Sequence, residues 1–212
     1  MTALYDAEAF RKLPVVGILR GFAAAEAERL VKASVEGGLR NIEVTMNSPG
    51  AADQIRRVRE VAGPGVNVGA GTVVTLASLE EALRAGAGFI VTPALLPDVV
   101  RACVERKIPV FPGAMTPTEI LQAWQLGATM VKVFPADRLG PEFIKAVKAP
   151  FPEIPLMPTG GVTVETLGAF KKAGAGAFGV GTPLFDKKQA SAENWGWFRQ
   201  QAARFVEAYA QA

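Results

Sequence analysis

The chain has 212 residues, half of them hydrophobic, with 23 Lys and Arg against 20 Asp and Glu. That length suffices for one buried core, expected as a single domain over 1–212, and the near-balanced charge without a basic run excludes a nucleic-acid partner while leaving a small anionic ligand open. No histidine is present, which excludes Ser-His-Asp and Cys-His catalysis and removes the commonest ligand of zinc and copper.

The chain starts with MTALYDAEAFRKLP, which lacks the basic start and apolar run of a signal peptide. Residues 3–12 are expected to form a helix outside the regular pattern. VVGILR (15–20) is the first strand and ends on Arg20, followed by a helix in AAEAERLVKASVEGG (24–38). NIEVTM (41–46) and VNVGAGT (66–72) are the second and third strands, carrying Glu43 and Thr72. After the helix SLEEALRAGA (78–87) come the strands FIVTPA (89–94) and PVFPGA (109–114). Between those two lies Cys103, the only cysteine, which cannot form an internal disulfide and fits a reducing compartment. No apolar stretch is long enough for a bilayer, so a cytoplasmic protein without a membrane partner is expected.

The helix TPTEILQAWQLGA (116–128) precedes MVKVFP (130–135), PLMPTG (155–160) and AFGVGT (177–182), the last three strands. NWGWFRQQAARFVEAY (194–209) places Trp195, Phe198, Ala202, Phe205 and Tyr209 on one helical face, a stripe that reads as packing rather than a ligand site. One word recurs: a helix ending in glycine, then a strand, as in EGGLRNIEV, RAGAGFIV, QLGATMVKV and KAGAGAFGV. Eight βα units predict a closed (β/α)8 TIM barrel, with 3–12 as an extra helix over its bottom. A doubly wound sheet is the rival, but GILRGF lacks the GxGxxG turn expected after its first strand.

Side chains alternate along a strand. Val131 and Val133 suit the helix-covered outside, which directs Lys132 inward; Ile42 and Val44 do the same for Glu43 and Thr45. Two opposite charges then share the interior near the C-terminal strand ends, where barrel enzymes place their active sites. A structural ion pair, or a lysine snorkelling from the strand end, is the plain alternative. The functional one is a desolvated amine, neutral near pH 7, that attacks a ketone to form an imine while the carboxylate moves protons. Thr159, Gly160 and Gly161 end strand seven, and Gly181 and Thr182 end strand eight. Glycines there admit backbone N–H groups to a phosphate, or serve only as tight turns. Arg20 and Thr72 add a bidentate cation and a hydroxyl donor to the same end.

In that order GILRG, IEVTMNSP, GAGTV, VTP, FPGAMTPTE, KVFPA and PTGG resemble the class I 2-keto-3-deoxy-6-phosphogluconate (KDPG) and 4-hydroxy-2-oxoglutarate (KHG) aldolases from about Pro14 to Phe185. The resemblance implies a metal- and cofactor-free homotrimer. It would cleave a phosphorylated keto-sugar acid to pyruvate and glyceraldehyde 3-phosphate. It further implies Lys132 as the imine lysine, Glu43 as the acid/base, and Arg20 and Thr72 at the pyruvyl carboxylate. Gly160, Gly161, Gly181 and Thr182 would surround the phosphate. Asn47 stands where the gluconate branch resembles EVTLRT with a carboxylate-gripping Arg, and ILRG with NSP is more similar to the 6-phosphogalactonate branch. Thr159 before the glycine pair is similar to the gluconate branch, in which the hydroxyl contacts the substrate C4 hydroxyl. The gluconate configuration is expected, with the galactonate one as the alternative. A sugar-phosphate isomerase or epimerase, and a silent phosphate binder, are the readings outside aldol chemistry.

Overall fold

The computed structural model describes residues 4–212. In chain order the elements are α1 (Ala7–Lys12), β1 (Val15–Leu19), α2 (Ala24–Glu36), β2 (Asn41–Thr45), α3 (Ala51–Ala62), β3 (Asn67–Gly71), α4 (Leu76–Arg84), β4 (Ile90–Val91) and α5 (Pro97–Glu105). They continue with β5 (Val110–Phe111), β6 (Gly113–Ala114), α6 (Pro117–Gln125), β7 (Val131–Val133), α7 (Gly140–Lys148), β8 (Leu156–Pro158), α8 (Leu167–Lys172), β9 (Phe178–Val180), α9 (Lys187–Ser191) and α10 (Trp195–Gln211).

The strand pairs are all parallel, in the orders β5-β4-β3-β2-β1-β9 and β6-β7-β8. β5 and β6 are one barrel strand interrupted at Pro112, which has no N–H to donate but whose carbonyl accepts from Lys132 N at 2.9 Å. A bridge between Thr159 and Gly179 joins β8 to β9, and the pairing of β9 with β1 completes a closed (β/α)8 barrel.

Alternation sorts the side chains as the sequence predicts. Ile42, Val44, Val131 and Val133 are wholly buried in the core between strands and helices. A second, inner cluster of Val16, Phe89, Val91, Phe111, Met130, Met157 and Ala177 fills the lower interior, and Phe10 of α1 closes it from below. Phe111 contacts Phe89 and Phe10 at centroid distances of 5.4 and 5.6 Å. Each such ring contributes about 3 kcal/mol by burial. This packing confines the buried polar side chains of the interior to either side of the plug. Asn41 and Asn67 lie at the strand starts, and Glu43, Thr45, Thr92, Lys132 and Thr159 near the strand ends.

The extra helix is shorter than the expected 3–12, whose first residue lies outside the described residues. The Asp6 carboxylate accepts from Glu8 N and Ala9 N, both at 2.9 Å, and so caps the helix one residue before Ala7. Asp6 is itself pinned to the barrel, because its N–H donates to Asn67 Oδ1 at 2.7 Å and its carbonyl accepts from Asn67 Nδ2 at 2.9 Å. Residues 109–114, expected as one strand, divide at Pro112, and 89–94 keeps only Ile90–Val91 as regular strand. In α10, Phe198, Ala202 and Phe205 are buried, with Trp195 and Tyr209 half-buried at the ends of the stripe.

Candidate active site

Lys132 occupies the centre of β7 and is only 3% exposed. Burial lowers its pKa, the charge of Glu43 opposes that, and the charge of Arg20 reinforces it. Its Nζ lies 5.2 Å from the centroid of the Phe134 ring. Glu43, on β2, is fully buried, and burial raises its pKa against the charges of Lys132 and Arg20. Neither carboxyl oxygen has a hydrogen-bond partner among the described residues. A buried carboxyl left without partners is uncommon, which makes Glu43 a candidate functional group. Both shifts act in one direction, favouring the neutral amine and the protonated carboxyl over the charged pair.

The fold makes room for this pair by leaving out side chains. A Cβ on Gly71 would overlap the Glu43 carboxyl, and a Cβ on Gly179 would overlap the Thr159 hydroxyl. Glycine at these two strand positions is therefore needed for space, whatever the backbone angle. Thr159 is 6% exposed and its Oγ1 donates weakly to Met157 O at 3.4 Å, so the hydroxyl retains bonding capacity.

Above the pair, a cavity of about 720 Å³ opens at the C-terminal strand ends. Arg20, Thr159, Gly160, Gly161, Gly181 and Thr182 all line it. Gly160 and Gly161 have φ of 94° and 73°, angles open to glycine at no steric cost. This left-handed pair turns the chain after β8 so that its backbone borders the cavity. Thr166 Oγ1 donates to Gly161 O at 2.7 Å and braces the turn. Lys132 and Glu43 do not border the cavity directly; Phe134 and Ile18 form its inner wall beside them. Thr72 is half-buried and off the cavity wall. Its φ of 54° is a strained angle for a β-branched residue, of the kind found at functional loops. Asn47 is exposed and does not line the cavity.

Three participants were not singled out from the sequence. Ser48 accepts from Gly21 N at 2.9 Å and shares a hydrogen bond with Thr45 Oγ1 at 3.0 Å, tying the turn after Arg20 to the end of β2. Its position in NSP was the available signal. Phe22, in the loop after β1, and Lys187, at the start of α9, line the cavity. Nothing local marks them, because they meet only when the barrel closes. Among the described residues no group of three His, Cys, Asp or Glu gathers in a metal-binding cluster, and no helix is long and apolar enough to cross a membrane.

The fold is a (β/α)8 barrel with a buried amine and a buried carboxyl near a cavity at its C-terminal strand ends. Comparison with known proteins gives the family. The model described as KDPG and KHG aldolase matches residues 7–200. The chain belongs to the KDPG and KHG aldolase family, and it is a carbon–carbon lyase of the aldolase type. It is 37% identical over 202 residues to the Escherichia coli K12 protein named 2-dehydro-3-deoxy-6-phosphogalactonate aldolase, covering 95% of this chain and 97% of that one. It is 36% identical over 172 residues to the Treponema pallidum protein named 2-dehydro-3-deoxy-phosphogluconate aldolase, covering 80% of each. Among solved structures it superposes with a TM-score of 0.82 on Legionella pneumophila KDPG aldolase with pyruvate captured at low pH as a covalent carbinolamine intermediate, at 25% identity over 92% of this chain and 95% of that one.

Proposed function

We propose that this aldolase cleaves 2-keto-3-deoxy-6-phosphogluconate to pyruvate and glyceraldehyde 3-phosphate through an imine on Lys132, with 4-hydroxy-2-oxoglutarate as a shorter substrate. The observation that carries the proposal is the buried Lys132 beside a Glu43 carboxyl with no protein partner.

The neutral amine attacks C2 of the keto acid, and Glu43 supplies the proton with which the carbinolamine loses water to become an iminium. Glu43, now a carboxylate, takes the C4-hydroxyl proton through a bound water. The C3–C4 bond breaks, its electron pair passing to the iminium as an enamine, and the aldehyde leaves. Protonation of the enamine methylene and hydrolysis release pyruvate and restore the amine. The dry interior strengthens each of these charge interactions, and the barrel fixes the reacting groups before substrate arrives.

Arg20 and Thr72 hold the pyruvyl carboxylate, while Gly160, Gly161, Gly181 and Thr182 take the phosphate. For Arg20 the support is its position on the cavity wall and its charge acting on both Lys132 and Glu43. Arg20→Ala is expected to weaken pyruvate binding about ten- to a hundredfold, the range of a lost charge-assisted hydrogen bond. Arg20→Lys restores it only in part, since the bidentate fork is gone. Pyruvate titration checks this; a loss confined to the phosphorylated aldehyde would move Arg20 to the phosphate.

Thr159 selects the C4 configuration. Its hydroxyl hydrogen-bonds one epimer and is left unpaired by the other, a difference of about 1 kcal/mol or roughly five- to tenfold. Thr159→Val keeps the shape and is expected to narrow or reverse the preference, measured as kcat/KM on both phosphorylated epimers. The second reading, cleavage of the galactonate epimer, is favoured by Arg20 on the cavity wall with Asn47 off it, and by the 37% identity to the relative named for that substrate. The same kinetics on the unmodified protein decide between them: a larger kcat/KM for the gluconate epimer supports the first reading, and a larger one for the galactonate epimer replaces it.

The whole of 1–212 acts as one catalytic domain, cytoplasmic and assembled as a homotrimer. Support for location is the buried free Cys103. Support for assembly is the exposed apolar Val74, Leu76 at the start of α4, and Met115. Light scattering at working concentration reads the assembly directly.

A further inference from the structure

We propose that Lys187 is a second substrate-binding cation, placed to hold the phosphate from the side opposite the Gly160–Gly161 turn. The proposal rests on the aldolase reading and extends its phosphate site to one further residue.

Lys187 is the first residue of α9, five residues after Thr182, and lines the same cavity as Arg20, Gly160, Gly161, Gly181 and Thr182. Its side chain reaches back across the cavity rim to the end of β1. There Nζ sits 5.8 Å from the centroid of the Phe22 ring and 3.1 Å from where a Cβ on Gly21 would lie. Gly21 has φ of 69° and donates to Ser48 Oγ, so this bare stretch of backbone is held in place beneath the ammonium. The next residue back is Arg20. Arg20, Lys187 and Lys188 all border this concavity, an excess of positive charge that favours an anionic ligand.

The cavity has one carboxylate on its wall, that of Asp186. It is engaged elsewhere: Asp186 Oδ1 accepts from Lys188 N at 2.7 Å and from Gln189 N at 3.0 Å. Those bonds turn the carboxylate towards the start of α9 and leave Lys187 to face the cavity. A lysine suits this place, because a phosphate dianion carries charge in excess of what backbone N–H groups neutralise, and a flexible point charge follows it through turnover. With Arg20 at the carboxylate, Lys187 gives each anionic end of the substrate its own cation.

The test compares 2-keto-3-deoxy-6-phosphogluconate with 2-keto-3-deoxygluconate, which differs only in lacking the phosphate, in the full-length protein and in K187Q, K187R and K188Q. K187Q is expected to reduce the kcat/KM ratio of phosphorylated to unphosphorylated substrate about five- to tenfold, through KM. K187R should restore most of the ratio, and inorganic phosphate should inhibit K187Q more weakly than the parent. An unchanged ratio in K187Q would overturn the proposal. So would an equal fall in K188Q, because the effect would then belong to the general field of the cavity. Failure of the aldolase reading is distinguishable: the parent protein itself would cleave neither substrate.

Discussion

Lys132→Met is expected to abolish cleavage and all covalent capture of pyruvate, while the barrel stays folded. Methionine matches lysine in length and flexibility, so the space between β6 and β8 remains filled. It also relieves the burial of a chargeable amine, and its sulfur faces the Phe134 ring that Nζ now faces at 5.2 Å. The expected loss in kcat/KM reaches the detection limit, with a melting temperature equal to or above that of the parent. Other lysines do not substitute. Lys145 is exposed, and the Lys148 ammonium is committed to Ile154 O at 3.0 Å. The pH dependence carries the same signature in the parent. Because burial lowers the Lys132 pKa, capture should fall as pH drops through that depressed value, at lower pH than for an ordinary lysine. Protonation removes the lone pair. Residual cleavage in Lys132→Met with an adduct on another lysine would remove Lys132 from the chemistry.

Glu43→Gln is expected to lower turnover about a hundredfold or more, the scale of a lost general acid/base, while imine forms slowly. Glutamine fits the recess that Gly71 leaves, so shape is retained and only proton exchange is lost. The effect should divide unevenly. Single-turnover measurements should show imine accumulating ahead of C–C cleavage, since the cleavage step needs the C4 proton removed. Near-normal turnover would show that another group or a water chain moves the protons.

Much of this site was legible before any fold was known, and for a physical reason. Strand alternation is a local property, so Val131 and Val133 flanking Lys132 sufficed to turn that lysine inward, and Ile42 and Val44 did the same for Glu43. The helix–glycine–strand word likewise reports local backbone needs, and repeated eight times it implies closure. What stayed hidden depends on contacts between distant segments. Asp6 shortens α1 because its backbone is paired with Asn67, sixty-one positions away. Pro112 divides a strand whose neighbours supply the remaining bonds. Ser48 matters through Gly21, and Lys187 through the loop after β1, both between strand ends that become neighbours only in the folded barrel. Thr72 has a left-handed φ that its own sequence does not foretell. Thr159 was visible as a residue, but the recess at Gly179 that seats it was not.

The most direct test is borohydride reduction of the unmodified protein in the presence of pyruvate, followed by intact mass measurement and peptide mapping. One reduced pyruvate per chain, located on Lys132 and absent without borohydride, is the expected result. A protein that gains no adduct, or gains it on any other lysine, would contradict an imine at the centre of this barrel.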